Sequence, residues 1–218
     1  MKIKALIAVR SGSQRVPEKN IRDFAGSNLL ELKIKQLKKV KGLDGIIVNS
    51  DDDRMLNIAL ENGVSAVKRD PFFASNTVSM SDVYQHMAEH MEADVIAYTN
   101  VTSPLIKIST IEGMIQHFIQ SGDFDSINSA HYIKEFMFLN GSPINYSIEN
   151  QPRSQDLPDI LAINFAVSLI SRELMIAQKN IIGKKPHLFP ISQLESTDID
   201  SMIDFEIAEY LFKLYGND

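Results

Sequence analysis

The sequence predicts an α/β fold in which a mostly parallel sheet is flanked by helices. Short apolar runs rich in β-branched residues recur along the chain and alternate with segments of helical periodicity, and the first run ends at a cluster of small and basic residues. Strands separated by helices are typical of parallel sheets, because a parallel connection must cross over the sheet. The predicted strands cover residues 3–9, 45–49, 94–99, 125–130 and 163–170.

Between these strands, apolar side chains recur at helical spacing, which indicates amphipathic helices packed on the sheet. The stripes are Leu30, Ile34 and Leu37; Met80, Val83, Met87 and Met91; and Ile111, Met114, Ile115 and Phe118. Ser79 with Asp82, and Ser109 with Glu112, have the spacing of a capping box and predict two helix starts. Gly63 is well placed to end the helix before it. We interpret the stripes as core.

Residues 131–159 interrupt this alternation. The segment contains Gly141 and three prolines, and aromatic residues alternate at Phe136 and Phe138. These features predict a hairpin arm, with a local flap as the alternative.

Length and composition limit the function. The 218 residues suit one domain, residues 1–218, that buries a substantial core. The net charge of −6 argues against nucleic acid as a partner. The chain has no cysteine, no segment long enough to span a membrane and no secretory signal, so we expect a cytoplasmic protein without a membrane partner.

The first predicted strand leads into a loop that is suited to bind an anion. The loop reads Arg10-Ser11-Gly12-Ser13-Gln14-Arg15-Val16-Pro17-Glu18-Lys19-Asn20. Its small residues allow backbone N–H groups to surround an anion at the carboxyl edge of a sheet, and its cations suit a polyphosphate. Neither the G-x-G-x-x-G fingerprint nor the Walker loop is present. The loop therefore predicts a nucleotide site of another kind.

A pair of aspartates near the end of the chain is a candidate metal site. Asp198 and Asp200 alternate in an extended segment, so both carboxylates could face one Mg²⁺ ion. The alternative is that Asp200 caps the helix that follows, which is marked by Phe205, Ala208 and Phe212.

Three motifs in order resemble the acylneuraminate cytidylyltransferase family, the synthetases of CMP-sialic acid and related CMP-nonulosonic acids. They are the loop 10–20, the segment Asn100-Val101-Thr102-Ser103-Pro104-Leu105 and the D-I-D of residues 198–200. The resemblance implies a Rossmann-like fold of the nucleotide-diphospho-sugar transferase type. It also implies transfer of CMP from CTP to an acidic keto-sugar with release of pyrophosphate, and a homodimer whose 131–159 arm reaches the partner.

The same resemblance implies roles for individual residues. Nucleotide binding falls to Arg10, Ser11, Gly12, Ser13, Lys19, Asn20, Arg69 and Ser75. The catalytic residues are Arg10, Lys19, Asp198 and Asp200, and the two aspartates hold Mg²⁺. Without the resemblance, Arg69 could equally be an exposed arginine paired with Asp70.

The resemblance assigns the acidic sugar to Asn100, Thr102, Ser103, Arg153 and Asn164. Within this group, Arg153 could pair with the sugar carboxylate from the other protomer. The chain departs from the family pattern at Gln14, at Ile106 in place of an arginine, and through most of residues 162–168. The sugar itself is therefore left open.

Other functions are compatible with parts of the sequence. Metal-dependent glycosyltransferases also use D-x-D aspartates, but normally in the middle of the chain, and a nucleotide-binding protein without catalysis is a further alternative. His86-Met87-Ala88-Glu89-His90 fits an H-x-x-E-H zinc pattern, although the same helix carries a regular apolar stripe. We interpret the two histidines as surface or partner-facing residues.

Overall fold

The computed structural model describes residues 1–216. Residues 217 and 218, the last two of the predicted domain, lie outside the described part. The strands are β1 Ile3–Ala8, β2 Asp23–Phe24, β3 Ser27–Asn28, β4 Gly45–Ser50, β5 Ser65–Lys68, β6 Val95–Thr99, β7 Ser126–Ile133, β8 Phe138–Leu139, β9 Ser142–Pro143, β10 Ile160–Ser171 and β11 Pro186–Pro190. The helices are α1 Leu29–Leu37, α2 Asp53–Glu61, α3 Met80–Glu89, α4 Ile108–Gln120, α5 Arg172–Gln178 and α6 Met202–Tyr215, with 3₁₀ turns at Pro71–Ala74 and Ser154–Asp156.

Seven strands form one sheet in the order β11-β7-β10-β6-β1-β4-β5. All of them run in the same direction except β10, which is antiparallel to both β6 and β7. The predicted α/β class with a mostly parallel sheet is therefore confirmed. The sequence prediction lacked β5 and β11, which lie at the two edges of the sheet.

The predicted apolar stripes pack on both faces of the sheet. One core cluster joins α1, α2, α4 and α6 to one face, and a second joins α3 and α5 to the other. The central strand β1 is buried on both sides, since Ala5, Leu6 and Ile7 are completely inaccessible. Burial on both faces explains why β1 reads as a continuous apolar run rather than an alternating one.

Two of the three predicted helix-end signals are confirmed. The Ser79 hydroxyl accepts a hydrogen bond from Asp82 N and caps α3, and Gly63 follows α2 with a φ of +66°. The predicted start at Ser109 is wrong, because α4 begins at Ile108 and has no side-chain cap.

The segment 131–159 contains the predicted hairpin. Strands β8 and β9 pair around Asn140 and Gly141, whose φ values of 51° and 79° suit a tight two-residue turn. Asn145 braces the base of the hairpin, since it accepts from Met137 N at 3.0 Å and donates to Glu135 O at 2.8 Å. Four apolar side chains of the segment are more than half exposed: Phe138, Leu139, Ile144 and Ile148.

None of the helices within residues 1–216 is both long and apolar enough to cross a lipid bilayer.

Candidate active site

The candidate site lies at the carboxyl edge of the sheet, beside β1. Strand β1 pairs with β4 on one side and with β6 on the other, so the chain changes direction across the sheet at this place. Ligands of open α/β sheets bind in the crevice outside the strand ends at such a point. A cavity of about 370 Å³ opens there and is lined by parts of the loop 10–20 and by residues 100–102.

Buried polar contacts shape the anion-binding loop. The amide of Asn20 is buried and donates to Arg10 O at 3.1 Å, which closes the loop on itself. Ser11 donates from both its backbone N–H and its hydroxyl to Asp51 at the end of β4. Gly12 has a φ of +74°, a conformation that glycine adopts without strain. Asn20 therefore fixes the loop, while Ser13 and Lys19 line the cavity.

Lys19 connects the loop to the D-I-D segment. Its ammonium donates to Ile199 O at 2.6 Å, across 180 positions of sequence. Burial lowers the pKa of Lys19, and the carboxylates of Asp198 and Asp200 act in the opposite direction. Arg15 makes a second connection, with Nη2 2.6 Å from Asp200 Oδ1. The basic loop and the two aspartates, distant in sequence, thus form one site.

The D-I-D segment is anchored by its middle residue. Ile199 is completely buried, whereas Asp198 and Asp200 on either side are exposed. The backbone N–H of Ile199 donates to Thr102 O at 3.1 Å. Desolvation raises the pKa of Asp198, the neighbouring Thr102 side chain opposes that rise, and the charge of Asp200 adds to it. The carboxylate therefore lies where a cation would be stabilising.

Helix α6 begins immediately after this segment, but neither aspartate caps it. Ser201 and Asp204 form a reciprocal capping box at its start. The alternative role of Asp200 as an N-cap is therefore wrong, and its carboxylate pairs with Arg15 instead.

A second cavity of about 340 Å³ lies on the other side of Arg10, which lines both. Arg69 is only 4% exposed and also lines it, donating from Nε to Asn49 Oδ1 at 2.6 Å and from Nη2 to Asn49 O at 2.8 Å. The alternative of a surface ion pair with Asp70 is therefore wrong. Burial lowers the pKa of Arg69. Ser75 lines the same cavity, and Arg10 Nη1 donates to the neighbouring Ala74 O at 2.7 Å.

The residues predicted to bind sugar are only partly brought together. Asn100 and Thr102 line the first cavity. Ser103 is 1% exposed, and its buried hydroxyl has no partner. Ile106 is buried in the core, so the replacement of the family's arginine removes a polar side chain there. Arg153 pairs with Asp156 at 2.7 Å within the arm.

Asn164 lies in an irregular stretch of β10, where pairing with β7 shifts between Ile163 and Ser168. Its side-chain oxygen accepts from the Ser129 hydroxyl at 2.6 Å, and its buried amide nitrogen has no partner. Phe165, the next residue, has a φ of 55°, which is uncommon for a bulky side chain. Strain beside an unpaired buried donor is characteristic of a functional position.

Residues 4–150 match the sequence profile of a family described as Cytidylyltransferase, which is more than half of the chain. The chain belongs to this cytidylyltransferase family. It is therefore a nucleotidyltransferase, and the predicted family relationship is confirmed.

Curated relatives agree with this assignment. Pseudaminic acid cytidylyltransferase of Campylobacter jejuni is 28% identical, and the alignment covers 98% of this chain and 97% of the relative. N-acylneuraminate cytidylyltransferase A of Danio rerio is 27% identical over 98% of this chain, but over only 51% of its own length.

Solved structures agree on the fold. CMP:2-keto-3-deoxy-manno-octonic acid synthetase complexed with CTP superposes with a TM-score of 0.74 at 18% identity, covering 98% of this chain and 99% of that one. A 4-diphosphocytidyl-2C-methyl-D-erythritol synthase from Anaerococcus prevotii superposes with a TM-score of 0.73 at 12% identity, covering 97% and 96%.

Of the two histidines of the H-x-x-E-H pattern, His86 lies on α3 of this cytidylyltransferase and His90 is the residue that ends it. His86 stacks on Phe73 with ring centroids 3.9 Å apart, and His90 Nδ1 lies 2.7 Å from His86 O. Within residues 1–216, no group of three or more potential ligands from His, Cys, Asp and Glu comes together.

Sequence reasoning missed two features of the site. The first is the contact of Thr102 O with Ile199 N, which joins two motifs assigned separately to sugar and metal. The second is Asp51, which holds Ser11. Its position at the carboxyl end of β4, beside the loop after β1, was the available signal.

Proposed function

We propose that this cytidylyltransferase transfers CMP from CTP to the anomeric hydroxyl of an acidic keto-sugar of the nonulosonic type. The bond that forms joins the anomeric oxygen to the α-phosphorus. The bond between the α-phosphorus and the oxygen bridging to the β-phosphorus breaks, so pyrophosphate leaves and the hydroxyl proton is released. The substrates named for the curated relatives, pseudaminic acid and N-acylneuraminate, support this choice of sugar.

The observation that carries the proposal is the contact between Lys19 and Ile199. A bond of 2.6 Å holds the cationic loop against the middle of the D-I-D segment. A triphosphate in the first cavity would therefore meet cations from the loop and carboxylates from the D-I-D segment at the same time. This pairing is what transfer of a nucleotidyl group requires, because the reaction depends on alignment and on neutralising charge.

In this proposal the two cavities hold different parts of the nucleotide. Arg10, Ser13 and Lys19 hold the phosphates in the first cavity. Arg69 donates to the base in the second, where a rigid buried guanidinium discriminates between base edges better than a mobile cation. Arg10 lines both cavities and can contact the phosphate nearest the ribose.

Asp198 and Asp200 would hold Mg²⁺. Two carboxylates suit a hard cation that takes its remaining ligands from phosphate oxygens and water, and the pKa of Asp198, raised mainly by desolvation, fits a carboxylate that a bound cation would stabilise. The bound ion would supply charge neutralisation at the phosphates. Thr102 holds the D-I-D segment through Ile199, and Arg15 would release Asp200 to contact phosphate instead.

The acidic sugar would lie between Asn100 and the irregular part of β10. The unpaired amide of Asn164 offers a donor to a sugar oxygen. Arg153 lies in the arm, and we propose that it reaches the sugar carboxylate of the partner protomer in a homodimer. The exposed apolar side chains of the arm support such an interface.

The decisive experiment is a screen of pyrophosphate release over the four nucleoside triphosphates and a panel of acidic keto-sugars with eight or nine carbons. We expect CTP alone to support rapid release. Consumption of a nucleotide-sugar with transfer of its sugar would favour the glycosyltransferase alternative. Nucleotide binding without turnover on any sugar would favour the non-catalytic one.

A further inference from the structure

Lys33 is a buried cation in the middle of α1, facing the loop between β6 and α4. The residue is 2% exposed, and its ammonium donates to Gln36 Oε1 at 2.8 Å and to Ser103 O at 2.9 Å. Within residues 1–216, none of the carboxylates forms an ion pair with it. A buried ammonium without a counterion is costly, and methionine would fill this position more cheaply. What the position gains from lysine is the two hydrogen bonds.

Gln36, one turn further along α1, completes the contact. Its side-chain amide donates to Ile106 O while its oxygen accepts from Lys33. The two side chains thus hold a carbonyl on each side of the dipeptide Pro104-Leu105. The turn needs such outside donors, because proline contributes no N–H and buried carbonyls require partners.

The residue immediately before this turn belongs to the candidate site. Thr102 accepts from Ile199 N through its carbonyl at 3.1 Å. Because Thr102 and Ser103 share a peptide bond, a shift of the Ser103 carbonyl would displace this contact. Lys33 is thus connected to the D-I-D segment through one hydrogen bond, the backbone of residues 102–103 and a second hydrogen bond.

We propose that Lys33 is a positioning residue, which together with Gln36 fixes residues 102–106 so that Thr102 orients Asp198. Lys33 does not line either cavity of the candidate site. The proposal rests on the proposed function only in assigning Asp198 to the metal. Its structural part, the hold of Lys33 on the loop, is independent of any substrate.

The charges around Lys33 are engaged with other partners. On α1, Glu31 pairs with Lys35 at 2.7 Å, and on α6, Glu209 pairs with Lys213 at 2.8 Å. Lys35 and Lys39 line the cavity beside Lys33 and have the same sign of charge. Burial alone lowers the pKa of Lys33 to about 7. The carbonyl of Ser103 and the oxygen of Gln36 are thus its stabilising partners.

The test compares Lys33→Met with Lys35→Met, the same change on the same helix at an exposed position. In the metal-free protein, we expect the Ile199 amide to exchange with deuterium about tenfold faster in Lys33→Met than in Lys35→Met, because the Thr102 carbonyl loses its fixed position. Equal exchange in the two variants would overturn the proposal, whether or not the protein uses CTP.

Kinetics test the catalytic part. We expect Lys33→Met to lower kcat about tenfold and to raise the half-saturating Mg²⁺ concentration, while the KM for CTP stays unchanged. Lys35→Met should match the wild type. An equal loss in both variants, or a change confined to the KM for CTP, would overturn a role through Asp198. A wild-type protein that does not use CTP would instead overturn the proposed function.

A double-mutant cycle identifies the route. If Lys33 and Gln36 hold the same turn, the double variant Lys33→Met with Gln36→Leu should lose less turnover than the sum of the two single losses. Additive losses would contradict the proposal. If Lys33→Met does not fold, Gln36→Leu removes the other half of the same hold and should give the same exchange and kinetic results.

Discussion

Arg15 Nη2 and Asp200 Oδ1 lie 2.6 Å apart and join the anion-binding loop to the D-I-D segment across 185 positions. Both side chains are more than half exposed, so solvent screens the pair and it adds about 0–1 kcal/mol to stability. In the ligand-free protein, Arg15 neutralises a carboxylate that the proposed mechanism assigns to Mg²⁺. In the proposed mechanism, binding of a magnesium–nucleotide complex would therefore break this ion pair.

The change Arg15→Gln should distinguish the contribution of this ion pair to stability from a role of Arg15 in binding the phosphates. We expect a melting temperature close to the wild type, since the pair is exposed, and affinity for CTP in the presence of Mg²⁺ reduced about tenfold, equivalent to about 1.4 kcal/mol. The loss should shrink at high salt, because a phosphate contact by a solvated arginine is screened. Titration calorimetry at two ionic strengths measures the loss of affinity for CTP. An unchanged affinity would mean that Arg15 does not contact the phosphates.

Lys33 gives a pH-dependent stability prediction. Its pKa is about 7 in the folded protein and 10.5 as the reference for the unfolded chain, so the unfolded chain binds more protons between these values. This group therefore makes the free energy of unfolding rise by about 1.4 kcal/mol per pH unit in that window. Below pH 7 the full penalty of burying the charge is present.

Lys33→Met removes this penalty, so it should be more stable relative to the wild type at pH 6 than at pH 9. Urea unfolding of both proteins at the two pH values measures the difference, in which the other titrating groups cancel. A stability difference that does not change with pH would show that the ammonium is not desolvated in the folded protein.

The sequence predicted those parts of the fold that depend on local patterns. The apolar run of β1 and the capping serine of α3 carry their signals within a few residues. Strands β5 and β11 escaped notice because they are short edge strands of four and five residues, and β11 begins and ends with proline. The pattern of Ser109 and Glu112 failed because Glu112 instead accepts from Lys41 N at 2.8 Å, a tertiary contact.

The candidate site was predictable as a set of motifs but not as a geometry. The loop 10–20 and the D-I-D segment could be identified from residue types. The contact of Lys19 with Ile199 could not, because it depends on how the segment after β11 returns from the edge of the sheet to the loop after β1. Lys33 offered no signal beyond a lysine beside the apolar stripe of Leu30 and Ile34, where a surface position was the ordinary expectation.

The arm should be the dimer interface. Replacing exposed Phe138 and Leu139 with serine should convert the dimer to a monomer and leave the hairpin intact, because Asn145 and the turn at Asn140 hold it. Sedimentation velocity measures the mass, and Leu60→Ser, an exposed apolar side chain on α2, is the matched control. Deleting the arm should also abolish turnover. A wild-type protein that is monomeric at micromolar concentration and still active would contradict this interface.

The proposed metal site can be tested without confusing ligand with helix cap, because the proposed ligand Asp200 and the cap Ser201 are different residues. Asp200→Asn keeps the shape of the side chain but removes its charge, so we expect turnover to fall by about a hundredfold or more, in line with several kcal/mol of charge stabilisation. Asp198→Asn should behave likewise. The melting temperature without metal should barely change, since the ion pair that Asp200 forms with Arg15 is exposed. Ser201→Ala is the matched control. It removes the cap of α6 at a cost of about 1 kcal/mol and should keep near-normal turnover.

Rates measured across a magnesium titration compare the three variants. Wild-type kinetics in either aspartate variant would move the metal elsewhere, and a loss of turnover in Ser201→Ala equal to that in Asp200→Asn would mean that the start of α6, and not the carboxylate, governs the reaction.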